Sequence, residues 1–254
     1  MSSLLASPTL QVAAPATERY PARSNVRRRE LHPSRCFVLL AVLAALIVTP
    51  VAAAADWEAV GRVNVAGLRA RSFCTGTLVA PDRVLTAAHC LFNDATGQRV
   101  ALSNVHFVAG WDRGQFVAHG QPTSAQVAPG YVWRRSPTAA TFRHDLAVLE
   151  LAQPLDAPVI DTARVHRPDG PVTIVHYDRS RPHLAATSKA CNVVDDVAGL
   201  WLLDCAVEAG ASGGPVLVGG PGDARVVAIV VGSRPGSGTA STVALPLGAP
   251  TGAP

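Results

Sequence analysis

A histidine, an aspartate and a serine stand in three short segments whose make-up suits nucleophilic chemistry. The segments are Thr86-Ala87-Ala88-His89-Cys90, His144-Asp145-Leu146-Ala147-Val148-Leu149 and Gly210-Ala211-Ser212-Gly213-Gly214-Pro215. A serine hydroxyl is a poor nucleophile at neutral pH and needs a base within hydrogen-bond reach, a part that imidazole fills. The imidazole in turn needs a carboxylate to hold one tautomer and to stabilise its charged form. The glycines around Ser212 free the backbone for a tight turn. That turn can aim the Gly210 and Ser212 N–H groups at one point, as an oxyanion hole. Each residue alone has a plainer explanation: a satisfied structural histidine, a turn aspartate, a glycine-rich loop. Together they follow the order His89, Asp145, Ser212, one of the known orders of a catalytic triad.

Such a set must be positioned by rigid elements, and the chain supplies short apolar runs between turn residues. Candidate strands are Val60–Val65, Phe73–Val79, Val84–Ala87, Val105–Ala109, Leu146–Leu151, Val172–Val175, Leu200–Leu203, Pro215–Val218, Val226–Val231 and Thr242–Leu245. Many are rich in Val, and Gly, Pro, Asp and Ser fill the gaps. No long stretch has helical period and no βαβ alternation is visible, so the pattern reads as all-β, a barrel or a sandwich. Four prolines in Gln153–Pro171 mark a linker between two halves. The end, 248–254, reads as a loose tail.

Charge and cysteines locate the chain. The formal net charge is +4. Residues 1–55 hold Arg19, Arg23, Arg27, Arg28, Arg29 and Arg35 against Glu18 and Glu30, which accounts for all of it. The remaining residues are neutral overall, so a nucleic-acid partner loses its main support. Phe37–Thr49 is an unbroken apolar run, followed by Val-Ala-Ala-Ala-Ala-Asp. A basic region, a short apolar core and an A-x-A end describe a secretory signal peptide cleaved after Ala55. Its 13 residues are short for a membrane span of about 20, the rival reading being a retained anchor. Arg28-Arg29-Glu30-Leu31 is a faint echo of a twin-arginine signal. Loss of Cys36 with the leader leaves Cys74, Cys90, Cys191 and Cys205. An even count in an exported chain reads as two disulfides, and four cysteines allow three pairings. The local pairing, Cys74 with Cys90 and Cys191 with Cys205, closes two short loops. A zinc site is the rival, but no C-x-x-C is present and His89 has another role.

The three segments together resemble the trypsin/chymotrypsin family of serine endopeptidases, over roughly residues 58–247. The resemblance implies two antiparallel six-stranded β-barrels with the active site in the cleft between them. The first would span about 58–152 and the second about 172–247, within a peptidase domain 56–247 that follows the leader 1–55. It implies His89 and Asp145 from the first barrel, Ser212 from the second, and a disulfide bridging the His89 loop, where Cys74 lies 16 residues before Cys90. No metal or cofactor is needed. The expected function is an exported, secreted or periplasmic serine endopeptidase acting through an acyl-enzyme. It would be a monomer, acting on proteins or peptides, and touch a membrane only through its signal peptide. The alternatives are a protease-fold binding protein with weak or no catalysis, and an esterase-like acyl hydrolase.

Departures from the family pattern carry information. Animal members have Asp before the serine, paired after zymogen cleavage with a new N-terminal ammonium; here the residue is Ala211, and no I-V-G-G-like start is present. The chain therefore looks like the bacterial branches, including glutamyl endopeptidases. Trypsin-like members have Asp six residues before the serine; here it is Ala206. Ala228–Ser233 would line the other wall of the primary pocket and lacks the histidine of glutamyl-specific members. Glu208 is read as an exposed loop charge.

Overall fold

A computed structural model of the chain describes residues 57–66, 71–234 and 242–248. The leader, its cleavage point and the tail beyond Gly248 lie outside the described residues. Among the described residues no helix is long and apolar enough to cross a membrane.

Among the described residues fourteen strands form two antiparallel sheets. In the first are β1 (Val60–Ala66), β2 (Arg71–Ala80), β3 (Arg83–Thr86), β4 (Val105–Ala109), β5 (Ala118–Gly120), β6 (Pro122–Val127) and β7 (Ala147–Leu151), in the spatial order β5-β4-β1-β2-β3-β7-β6. In the second are β8 (Val172–His176), β9 (Ala186–Cys191), β10 (Val193–Val197), β11 (Leu200–Leu203), β12 (Pro215–Val218), β13 (Arg225–Ser233) and β14 (Thr242–Pro246), in the order β10-β11-β14-β13-β12-β8-β9. The helical content near the site is a 3-10 turn, Ala88–Leu91, and one short helix, α1 (Ala139–Phe142).

The all-β expectation holds, with seven strands per sheet where six were expected. All ten apolar runs became strands. The four strands that the runs did not mark, β5, β6, β9 and β10, are the four sheet edges. An edge strand faces solvent along one side, and charged or polar residues there keep it from pairing with another chain. The strand β10, Val-Val-Asp-Asp-Val, is the plainest case: it is exposed over most of its length.

One core cluster runs from the first sheet into the second, and a smaller one lies within the second. Val60, Val63, Leu78, Val84, Phe107 and Leu149 are fully buried in the first, and Ile174, Trp201, Leu203, Val216 and Ala228 in the second. Burying each such side chain is worth about 1.5–3 kcal/mol. The Pro-rich segment between the sheets is not slack. Ile160 N–H donates to Leu78 O in the first sheet, while Ala163 N–H and Val226 N–H exchange bonds with Val226 O and Asp161 O beside β13.

The two sheets are stitched together around Thr75, which is fully buried on β2. Thr75 N–H donates to Ser212 O at 2.8 Å. Its hydroxyl donates to Gly210 O at 2.9 Å and accepts from Tyr177 N–H at 2.9 Å. Arg62 Nη1 donates to Pro182 O, and Tyr177 Oη donates to Trp111 O. A buried polar group left without its partner costs about 1–3 kcal/mol. Thr75→Val strands the Tyr177 N–H and the Gly210 carbonyl together. We expect a loss of about 2–4 kcal/mol in guanidinium unfolding, with Thr75→Ser recovering most of it.

Candidate active site

His89 sits in the 3-10 turn that follows β3. The turn tucks beneath the sheet because Ala87 and Ala88 are small and fully buried. Cys90 is disulfide-bonded to Cys74 on β2, with the Cα atoms 6.1 Å apart. Asp145 lies between α1 and β7, its N–H donating to Phe142 O. Its carboxylate accepts the His89 backbone N–H at 2.8 Å through one oxygen and the imidazole Nδ1–H at 2.6 Å through the other. The carboxylate side chain is 2% exposed and the imidazole 28%. With Nδ1 carrying the proton, Nε2 is a bare lone pair directed away from Asp145.

Burial opposes protonation of His89, but the charge and hydrogen bond of Asp145, with a smaller pull from Asp94, outweigh it and raise its pKa above the ordinary histidine value. A second buried pair behaves in the opposite sense. His176 Nε2 is 3.6 Å from Asp178 Oδ2. Burial there pushes the histidine pKa down, and the more distant carboxylate does not offset it. Asp178 spends its other oxygen on Ser180 Oγ and Arg181 N–H.

Ser212 lies in the turn that leads into β12. Gly210 and Gly213 have φ of +107° and +80°, where a side chain is strained. A Cβ on Gly213 would also come within 2.2 Å of Thr75 O and 2.3 Å of Thr86 Oγ1. The glycines are therefore demanded by both conformation and space. Within the turn, Ala211, Gly213 and Gly214 spend their N–H groups on Glu208 O, Val230 O and Ala211 O. Among the described residues the Gly210 and Ser212 N–H groups have no acceptor within the protein.

The structure thus brings His89 and Asp145 into direct contact. It sets Ser212 and Gly210 on one cavity with His89, of about 250 Å³. No hydrogen bond joins the Ser212 hydroxyl to the imidazole here. Such bonds are often long in unliganded sites and tighten around substrate. A second cavity of about 440 Å³ lies beside His89 and Asp145, lined by Tyr131, Trp133, Phe142 and the Val231–Ser233 end of β13. Ala206 and Glu208 are both exposed.

Cys191 and Cys205 form the second disulfide. The local pairing is thus the one present, and disulfides of this kind persist in oxidising compartments. Cys74, His89 and Cys90 come within metal-ligating distance of one another, but the two sulfurs are bonded to each other and are not thiolates. Thr75, Tyr131 and Trp133 were not singled out from the sequence. Only the position of Thr75 next to Cys74 could have pointed to it.

Residues 74–229 match the family described as the trypsin-like peptidase domain. Among curated proteins, the cercarial protease of Schistosoma mansoni is 37% identical over 90 residues, covering 33% of this chain and 32% of its own. Coagulation factor XII of Sus scrofa is 37% identical over 86 residues, covering 34% of this chain and 13% of its own. The matches span about a third or less of these relatives. Among solved structures, a Glu endopeptidase in complex with MPD aligns at TM-score 0.60 and 18% identity, covering 78% of this chain and 89% of that one. A thermostable serine protease, AL20, from an extremophilic microorganism aligns at TM-score 0.60 and 17% identity, covering 75% and 92%. At such identities these two speak for the fold. The family match spans more than half of the chain, from the first disulfide cysteine to the middle of β13, and takes in His89, Asp145 and Ser212. The chain belongs to the trypsin-like peptidase family.

Proposed function

We propose that the chain is an exported serine endopeptidase that cleaves peptide bonds through His89, Asp145 and Ser212. One observation carries the reading: a buried carboxylate, Asp145, grips both the backbone and the imidazole of His89 beside a cavity that also holds Ser212. A purely structural histidine needs no such two-point hold. In this reading His89 Nε2 takes the proton as Ser212 Oγ attacks the carbonyl carbon. The unpartnered Gly210 and Ser212 N–H groups receive the negative oxygen. Collapse expels the amine with the proton from His89, leaving an acyl ester on Ser212. Water, deprotonated by the same imidazole, then releases the acid. The chain would act as a monomer on protein or peptide substrates. The 1–55 leader and the two disulfides support export to an oxidising compartment. The acyl half of a substrate lies against Val231–Ser233. No carboxylate stands at Ala206 to favour Arg or Lys, and Glu208 is an exposed loop charge.

Full-chain Ser212→Ala and His89→Ala should each lose about 10⁴-fold or more in kcat on peptide substrates, and Asp145→Asn about 10⁴-fold by favouring the wrong tautomer. Fluorophosphonate labelling of Ser212, with casein compared against short esters, separates an endopeptidase from an esterase or an inert scaffold.

The raised His89 pKa sets the pH profile. The base must be neutral, so kcat/KM should rise with pH and level off, with its midpoint above the ordinary histidine value of about 6.5. Stability runs the other way. The charged pair stabilises the fold below the ordinary value, and this contribution fades as pH rises through the raised one. Steady-state profiles and thermal melts between about pH 5 and 9 check both directions.

Activation should need no second cut. Ala211 is fully buried and carries no charge to answer an N-terminal ammonium. Enzyme beginning at Asp56 and enzyme with a short extension before it should titrate to the same active-site concentration.

A further inference from the structure

Two cavities adjoin on the side of His89 away from Val231–Ser233. The first holds Ser212 and is lined also by Arg179. The second, of about 240 Å³, is lined by Arg62, Asn64 and Trp111. They share Val65, Ser72 and Phe73, so they form one continuous groove running out from Ser212. With the acyl half of a substrate on the other side, this groove is where the leaving half must lie.

Two arginines, Arg62 and Arg179, and one acid, Asp94, line this groove. The Arg62 guanidinium is half-buried, 4.1 Å above the Phe73 ring and 5.8 Å from that of Trp111. One of its nitrogens donates to Pro182 O, while Nε is buried with no partner. Arg179 is exposed at the inner end, its backbone N–H tied to Ala209 O. Among the described residues no carboxylate pairs with either arginine. Two of the neighbouring acids are engaged elsewhere. Asp178 holds Ser180 and Arg181, and Asp112 pairs with Arg113. Asp94 lines the inner cavity with His89 but not the outer one that holds Arg62. A partly desolvated guanidinium without a counter-ion leaves an electrostatic demand that a carboxylate meets, with several donors in a fixed fork.

We propose that Arg62, with Arg179, selects acidic residues in the leaving half of the substrate, within the first three positions after the scissile bond. The proposal rests on reading the cleft as a peptide-binding site, so its test uses binding rather than turnover. Arg62 as a mere clamp between the sheets predicts no such preference.

The probe is a pair of eight-residue peptides differing only by Glu or Gln at the second leaving position, titrated by fluorescence anisotropy against full-chain Ser212→Ala. The Glu peptide should bind about tenfold more tightly, the scale of a partly buried charge pair. The advantage should shrink several-fold between about 0.05 and about 0.5 M salt. Added to Ser212→Ala, Arg62→Gln should bring the ratio to about one, Arg62→Lys should keep part of it, and Arg179→Gln should reduce it. Thermal melts identify any variant that has lost its fold; if Arg62→Gln has, the lysine and Arg179 variants decide. Equal binding of the two peptides, no binding of either, or a ratio indifferent to these arginine changes overturns the proposal. Fluorophosphonate labelling of the unmutated chain reports separately on Ser212, so a failed catalytic reading and a failed acid preference are told apart.

Discussion

Thr75 is the point on which the geometry of the cleft turns. Its N–H and hydroxyl reach out of the first sheet to the carbonyls of Ser212 and Gly210, and the same hydroxyl accepts the Tyr177 N–H. The preceding residue, Cys74, is bonded to Cys90, next to His89. One dipeptide of β2 thus carries the serine turn on one side and the histidine turn on the other. Two sheets that merely packed face to face could slide by an ångström at little cost. Three directed hydrogen bonds at a fully buried site cannot, because breaking any of them leaves an unsatisfied group away from water. The absence of a Cβ at Gly213 belongs to the same contact: Thr75 O lies where a Cβ would stand.

In two His–Asp pairs distance, hydrogen bonding and neighbouring charge drive the histidine in opposite directions. At 2.6 Å, with a hydrogen bond, Asp145 overcomes the burial of His89 and raises its pKa. At 3.6 Å, Asp178 fails to overcome the burial of His176, whose pKa falls. The first histidine holds a proton more readily than a free imidazole, on the ring that the proposed mechanism uses as base. Burial holds the second against protonation beneath the serine turn, and stability is lost as pH falls from the ordinary histidine value through its lowered one. In place of the Asp and ammonium of animal members, the turn rests on the buried Ala211, glycine packing and the Thr75 bonds.

Much of the fold was legible because its inner strands read as short apolar runs, and β11, β13 and β14 are buried along nearly their whole length. Residues 226–231 are an example. The four edge strands were not legible. Residues such as Asp195 and Asp196 face solvent and keep the edge from pairing with another chain, and their sequence is that of a loop. The Pro-rich segment 153–171 reads as a linker, and its stitching to Leu78 and Val226 depends on backbone groups that have no residue-specific signature.

His89, Asp145 and Ser212 could be singled out as candidates from the chain alone, since each sits in a short segment whose small and apolar neighbours reflect local demands. These are a tight turn, a strand beginning, and glycines at positive φ. Of the three cysteine pairings the sequence allowed, the local one it favoured is the one the structure has. That Thr75 bonds to residue 210, and that Arg62 lies over Phe73 in a groove leading to Ser212, only the tertiary structure decided. A threonine or an arginine on a strand is chemically unremarkable. What it can do is fixed by which residues, over a hundred positions away, the packing of two sheets brings within about 3 Å of it.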